Sequence, residues 1–192
     1  MQQETETMPE VIESILREHR TIRQVLEVLQ AQIDLFERAE QPDYELIREI
    51  IDYFRTFADL CHHPKEDLIL HRLKTRDIAS AQPFENLEAL HEVISERLGD
   101  FSRAISRVMM GVEVPREALV SLARDFISGE HAHMDAEEEH FFPTAEQKLS
   151  PADWSDIDKI VADFRDPLLA PPATNRFQLL REHISNWNSA AA

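Results

Sequence analysis

Four histidines of this chain, His19, His62, His91 and His133, fall within stripes of apolar residues. Two of them are followed four residues later by a glutamate, as His62 with Glu66 and His133 with Glu137. A spacing of four sets both side chains on the same face of a helix. Neutral imidazole nitrogen and carboxylate oxygen together are ligands for iron, manganese or zinc. Burying such groups is costly unless they are paired or hold a metal. Six ligands exceed the four of a tetrahedral zinc site. They suit two ions, with carboxylates bridging and the remaining positions left to water, oxo or substrate. A single histidine in an apolar stripe is more often an ordinary core residue, and a lone H-x3-E pair a surface ion pair. The joint pattern carries the reading: one histidine on each of four segments, two of them with a glutamate in register.

The remaining candidates have plainer roles. His63 adjoins the layer and is open to two readings, an additional ligand or a donor to one. His71, His131 and His140 fit as partners of nearby acids or as partly exposed residues, and His183 as a structural residue of the tail. Cys61 reads as a small apolar residue, and as the only cysteine it can form no intrachain disulfide, which suits a reducing cytoplasm.

The elements that must position these residues are legible as stripes with spacings of three and four. The first runs Met8, Ile12, Ile15, His19, Ile22, Leu26, Leu29, Ile33, Phe36. Gln41-Pro42-Asp43 breaks it, and Asp43 is placed to cap the next helix. The second runs Ile47, Ile51, Phe54, Ala58, His62, Glu66, Ile69, Leu73, followed by a polar stretch over residues 75–83. The third runs Phe84, Leu87, His91, Ile94, Leu98, Phe101, Ile105, Val108. Gly111 and Pro115 then mark a stop and a restart. The fourth covers residues 117–148, with Leu119, Leu122, Phe126, His133, Glu137 and Phe141 on one face. Short loops between long helices give antiparallel neighbours. The fold expected is therefore all-α, an up-down-up-down four-helix bundle over residues 1–149. At ~1.5 Å rise per residue the four histidines come to roughly one level of that bundle. Residues 150–192 read as two short helices, the first capped by Ser150-Pro151. Pro167, Pro171 and Pro172 separate them, and together they form a helical extension packed on the bundle.

Composition narrows the partners. Twenty basic against 37 acidic residues give a net charge of −17, which repels phosphate backbones and anionic membranes. Nucleic acid and membrane are thus not expected. The acidic, polar start of the chain does not read as a signal peptide, and no apolar run reaches the ~18–20 residues that span a bilayer.

The segments Glu18-His19-Arg20, Cys61-His62-His63-Pro64-Lys65-Glu66-Asp67, His91-Glu92 and the run from His133 to Pro143 together resemble the hemerythrin-like, or HHE cation-binding, proteins, across residues 9–149. The resemblance implies a non-haem di-iron centre, oxo- or hydroxo-bridged, with manganese or zinc as alternatives. His19 and His62 would serve one iron, His91 and His133 the other, and Glu66 and Glu137 would bridge. It implies small-molecule partners such as O2, NO or peroxide, and a redox or gas-response role that extends to peroxide breakdown by a di-iron oxidoreductase. An iron-sensing or iron-donating module without turnover is the alternative; a homodimer is allowed for. Oxygen-carrying members place a further histidine four residues after the one on helix three, where this chain has Ser95. That departure argues against a simple oxygen carrier and leaves an open position expected at the His91–His133 iron. The paired N-terminal cysteines of a typical iron-centre-repair protein are also absent.

Overall fold

The computed structural model describes residues 8–169 and 176–190, the side chains of residues 59 and 186–190 aside. The acidic start of the chain and the Pro171-Pro172 break lie outside the described residues. Helix α1 spans Glu10–Glu37, with Glu10 and Glu13 in its first turn, where the helix dipole favours acids. It closes at Ala39, whose φ of 62° lets the Glu40 N–H reach back to the Leu35 carbonyl. Asp43 caps α2 (Tyr44–Tyr53), accepting the Leu46 N–H at 3.0 Å as its position suggested.

The second long helix is continuous but not uniform. After α2 the chain widens into a π-helical segment, Phe54–His62, and tightens again into α3, His63–Arg76. The polar stretch after α3 holds a one-turn helix, α4 (Ile78–Ala81), capped by Asp77, and a 3₁₀ turn (Gln82–Phe84). Helix α5 spans Leu87–Met109 and stops at Gly111, whose φ of +74° suits glycine. The fourth helix repeats the pattern of the second: α6 (Arg116–Ala136), a π-helical turn (Glu137–Phe141), then α7 (Phe142–Lys148).

Two apolar clusters fix the directions of the four helices. Val11, Ile12 and Ile15 of α1, Ile69, Leu70 and Leu73 of α3, Leu87 of α5, and Phe141 and Phe142 belong to one cluster. Ile22 to Ile33 of α1, Leu46 to Ala58, Ile94 to Ile105 of α5 and Leu119 to Met134 of α6 contribute to the other. Each helix therefore passes from one cluster to the other, and successive helices pass in opposite senses. This is an all-α up-down-up-down bundle. The candidate ligands lie where each helix passes from one cluster to the other, in a polar layer with apolar packing above and below.

The extension runs along this body. The Ser150 hydroxyl and the Asp153 carboxylate form a reciprocal cap at the start of α8 (Pro151–Val161), which packs on α1 and α3. Asp153, buried, also accepts from Arg72 and Arg76 of α3. Helix α9 (Gln178–Ala190) meets α1 and α2, with Phe177 and Leu180 in the second cluster. No described helix is long and apolar enough to cross a membrane.

Candidate metal centre

His19 comes from α1, His62 from the end of the first π-helical segment, Glu66 from α3, His91 from α5, His133 from α6 and Glu137 from the start of the second π-helical turn. All six are buried, none more than 7% exposed. Both H-x3-E pairs thus sit where an α-helix meets a π turn, a distortion that recurs at functional sites because it re-aims side chains within an otherwise regular helix.

The six side chains converge. Glu66 Oε1 lies 3.1 Å from His62 Nε2 and 3.4 Å from His19 Nε2, while its Oε2 lies 3.4 Å from His91 Nε2. Glu137 faces the layer from the opposite helix. Its Oε2 is 3.4 Å from His133 Nε2 and 3.5 Å from His19 Nε2, and its Oε1 is 3.9 Å from His91 Nε2. Each carboxylate therefore addresses imidazoles on both sides. Two groups of donor atoms result, each spanning no more than 4.8 Å: His19, His62 and Glu66 in one, His63, Glu66, His91 and His133 in the other; Glu137 belongs to neither and approaches His133, His19 and His91 at 3.4–3.9 Å.

His63 is the addition. Stepping about 100° per residue, an α-helix cannot turn two adjacent side chains to one spot. Instead His62 faces one group and His63 the other, with Glu66 shared between them. The His63 ring stacks on His91, centroids 4.1 Å apart and planes within 8°, and meets His133 edge-on at 5.7 Å. The sequence offered the adjacency of His63 to the layer but no spacing that would turn it inward.

Outside the layer, charged partners hold several rings. His62 Nδ1 donates to Glu18 Oε2 at 2.9 Å, and the other Glu18 oxygen accepts from Lys65, itself 1% exposed. His19 Nδ1 shares a hydrogen bond with Glu138 at 2.8 Å, and Arg23 clamps Glu138 at 2.7 Å. His91 Nδ1 lies 3.2 Å from Asp67 Oδ1. Such contacts fix which ring nitrogen points into a site and raise its basicity. Glu18 and Lys65 could not be read from stripe counting, because charged residues off the apolar face read as solvated surface.

The electrostatics of the layer follow from burial and crowding. Burial alone would lower His62, but the Glu66 charge and the bond to Glu18 carry it well above the ordinary imidazole range. Burial pushes Glu137 up to about 8, and the facing Glu66 charge adds to that. Burial takes His133 down to about 3 against the pull of Glu66, and neighbouring His91 adds to the fall. The inward atoms of this layer, among them His19 Nε2, His62 Nε2, both nitrogens of His133 and all four oxygens of Glu66 and Glu137, are buried without a hydrogen-bond partner. Native cores rarely tolerate such a concentration of unsatisfied polar atoms. Cations between the carboxylates would satisfy the inward ones and remove the repulsion, so the residues fit a metal group.

His71, His131, His140 and His183 lie outside both groups. Ser95, half-buried on α5, lines a surface groove with Glu92, Glu96, Gly99, Asp100 and Arg103.

No curated protein and no solved structure matches the chain significantly. The family model of the hemerythrin HHE cation binding domain matches residues 10–145, which is most of the chain and all of the layer just described. The chain belongs to the hemerythrin HHE cation-binding family.

Proposed function

We propose that the layer holds two non-haem iron ions and that the centre reacts with O2, NO or peroxide. His19 and His62 would bind one ion, His63, His91 and His133 the other, with Glu66 and Glu137 shared. The single observation that carries this reading is the double-sided geometry of Glu66. Its two oxygens lie 3.1–3.4 Å from imidazole nitrogens on opposite sides, and neither has a hydrogen-bond partner. A carboxylate serving one ion would have no reason to be flanked so. Bound iron would supply redox change and a Lewis-acidic position for a small ligand.

His63 changes where that ligand would sit. With three imidazoles the second group has the fuller donor set, so the absence of a histidine at Ser95 no longer opens a position there. The first group has only two imidazoles and is walled by aromatic rings. Phe142 lies 5.9 Å from His19, and Phe57 lies 5.9 Å from His62. Small, weakly polar molecules suit such a wall. Metal analysis and an absorption spectrum of aerobically purified protein test the proposal. About two iron ions per chain and near-ultraviolet charge-transfer bands are expected. A stoichiometry of one zinc would overturn it, since seven donors cannot converge on one tetrahedral ion.

A further inference from the structure

A buried tyrosine stands behind the first group, outside any ligand role. Tyr53 is the last residue of α2, directly before the π-helical segment that ends in His62. It is fully buried, and its hydroxyl donates to Asp166 Oδ2 at 3.0 Å. Asp166 is 3% exposed and comes from the segment after α8, so the extension supplies it. Its other oxygen accepts the Leu168 N–H at 2.7 Å. The Phe57 ring lies between Tyr53 and the site, its centroid 5.4 Å from that of Tyr53 and 5.9 Å from that of His62. The path from the phenol to a candidate ligand is thus a run of rings in contact, buried throughout.

We propose that Tyr53 is a redox-active residue, giving one electron to the metal centre by way of Phe57 and His62 and its phenolic proton to Asp166. The inference rests on the iron reading above. Removing an electron from a phenol makes its proton strongly acidic, and in a buried core that proton needs a base already in place. The Tyr53 hydroxyl already donates to the Asp166 carboxylate. Burial, reinforced by the Asp166 charge, pushes the Tyr53 phenol well up, so it does not ionise beforehand. Electron and proton must therefore leave together. Burial also raises Asp166 to about 6, which leaves it ionised at neutral pH yet a better base than an ordinary carboxylate. The products are a neutral tyrosyl radical and a neutral carboxylic acid, so no charge is created in the core. The oxidant is hydrogen peroxide. Its O–O bond breaks as it takes up two electrons, one from Tyr53 and one from the metal pair, and two protons from solvent, giving two waters.

The chain has two tyrosines, Tyr44 and Tyr53, which makes the assignment direct. Full-length protein is loaded with ferrous iron, its metal content measured, mixed with hydrogen peroxide and freeze-quenched for electron paramagnetic resonance. A tyrosyl radical signal is expected that narrows with ring-deuterated tyrosine, is lost in Tyr53→Phe and persists in Tyr44→Phe. Asp166→Asn, which keeps the shape but not the base, should lose the signal while retaining iron. Photo-oxidation of iron-free protein by a ruthenium complex supplies a readout independent of the metal. Oxidation of Tyr53 should slow in heavy water, and that isotope effect should vanish in Asp166→Asn. A radical that survives Tyr53→Phe overturns the proposal. So does iron-loaded protein that consumes peroxide without a tyrosyl signal. Failure to bind iron would instead show in the metal measurement and overturn the reading beneath it.

Discussion

The two groups of the centre are built differently. In the first, both imidazoles are gripped from outside by clamped carboxylates: His62 by Glu18 with buried Lys65, His19 by Glu138 with Arg23. In the second, the rings lean on one another, His63 stacked on His91 and His91 edge-on to His133 at 4.8 Å, and His133 Nδ1 has no hydrogen-bond partner. The first group has fewer imidazoles, each tied to a clamped carboxylate; the second has more imidazoles in mutual contact, with His91 facing the more exposed carboxylate of Asp67. Rigid outer hydrogen bonds preorganise a ligand and tune the metal it binds. Stacked rings shift more easily. On the proposed reading, chemistry falls to the first group and anchoring by number of donors to the second.

Glu66 belongs to both groups, so its loss should have the largest effect. Glu66→Ala is expected to take iron content from about two per chain to well below one. Glu137→Ala should cost less, because its oxygens stand farther from the imidazoles, at 3.4–3.9 Å. If Glu137→Ala empties the site as fully as Glu66→Ala, the two carboxylates are equivalent and Glu66 is not the shared centre. His63→Ala separates the groups more sharply. It should leave about one iron, bound by His19 and His62. Retention of both ions would return His63 to an outer role.

Removing the metal altogether reads the layer against its surroundings. A site filled at a hundredfold excess over its Kd stabilises by ~2.7 kcal/mol, which for a domain of this size is on the order of 5–10 °C in the melting midpoint. The midpoint should fall by about that much on chelation. The helical circular-dichroism signal should survive, because apolar clusters lie on both sides of the layer. An unchanged midpoint would place the metal at the periphery.

The four helices and their directions were legible because long stripes of spacing three and four leave little freedom of assignment, and Asp43, Ser150 and Gly111 mark boundaries by local chemistry alone. His19, His62, Glu66, His91, His133 and Glu137 were legible for the same reason, each lying on a stripe. What escaped was whatever depends on departure from a regular helix or on contacts between helices. The π-helical segments at Phe54–His62 and Glu137–Phe141 carry no compositional mark. Without their offset, nothing in the spacing decides which way His63 faces. Glu18 and Lys65 are charged residues beside a stripe, and only the packing of α1 against the second helix shows them to be buried.

The smallest expected effect compares the outer carboxylates themselves. Glu18 is 2% exposed and is tied to both His62 and Lys65. Glu18→Gln keeps the shape but removes the charge that holds His62, and leaves buried Lys65 without its counter-ion. Loss of such an outer partner weakens metal binding by about 10–100-fold. Asp67 is 39% exposed, and its oxygen stands 3.2 Å from His91 Nδ1. Water screens the charge of a carboxylate exposed to that extent. Asp67→Asn should therefore weaken binding by only about threefold, below the range for a buried partner. Competition with a chromophoric chelator resolves the two sites as successive steps. The Glu18 substitution should move the step that survives His63→Ala, and the Asp67 substitution should move the step that His63→Ala abolishes. Equal shifts from both substitutions would mean that burial of the outer carboxylate does not distinguish the groups. A larger shift from Asp67→Asn would reverse the comparison, making the stacked group the firmly held one.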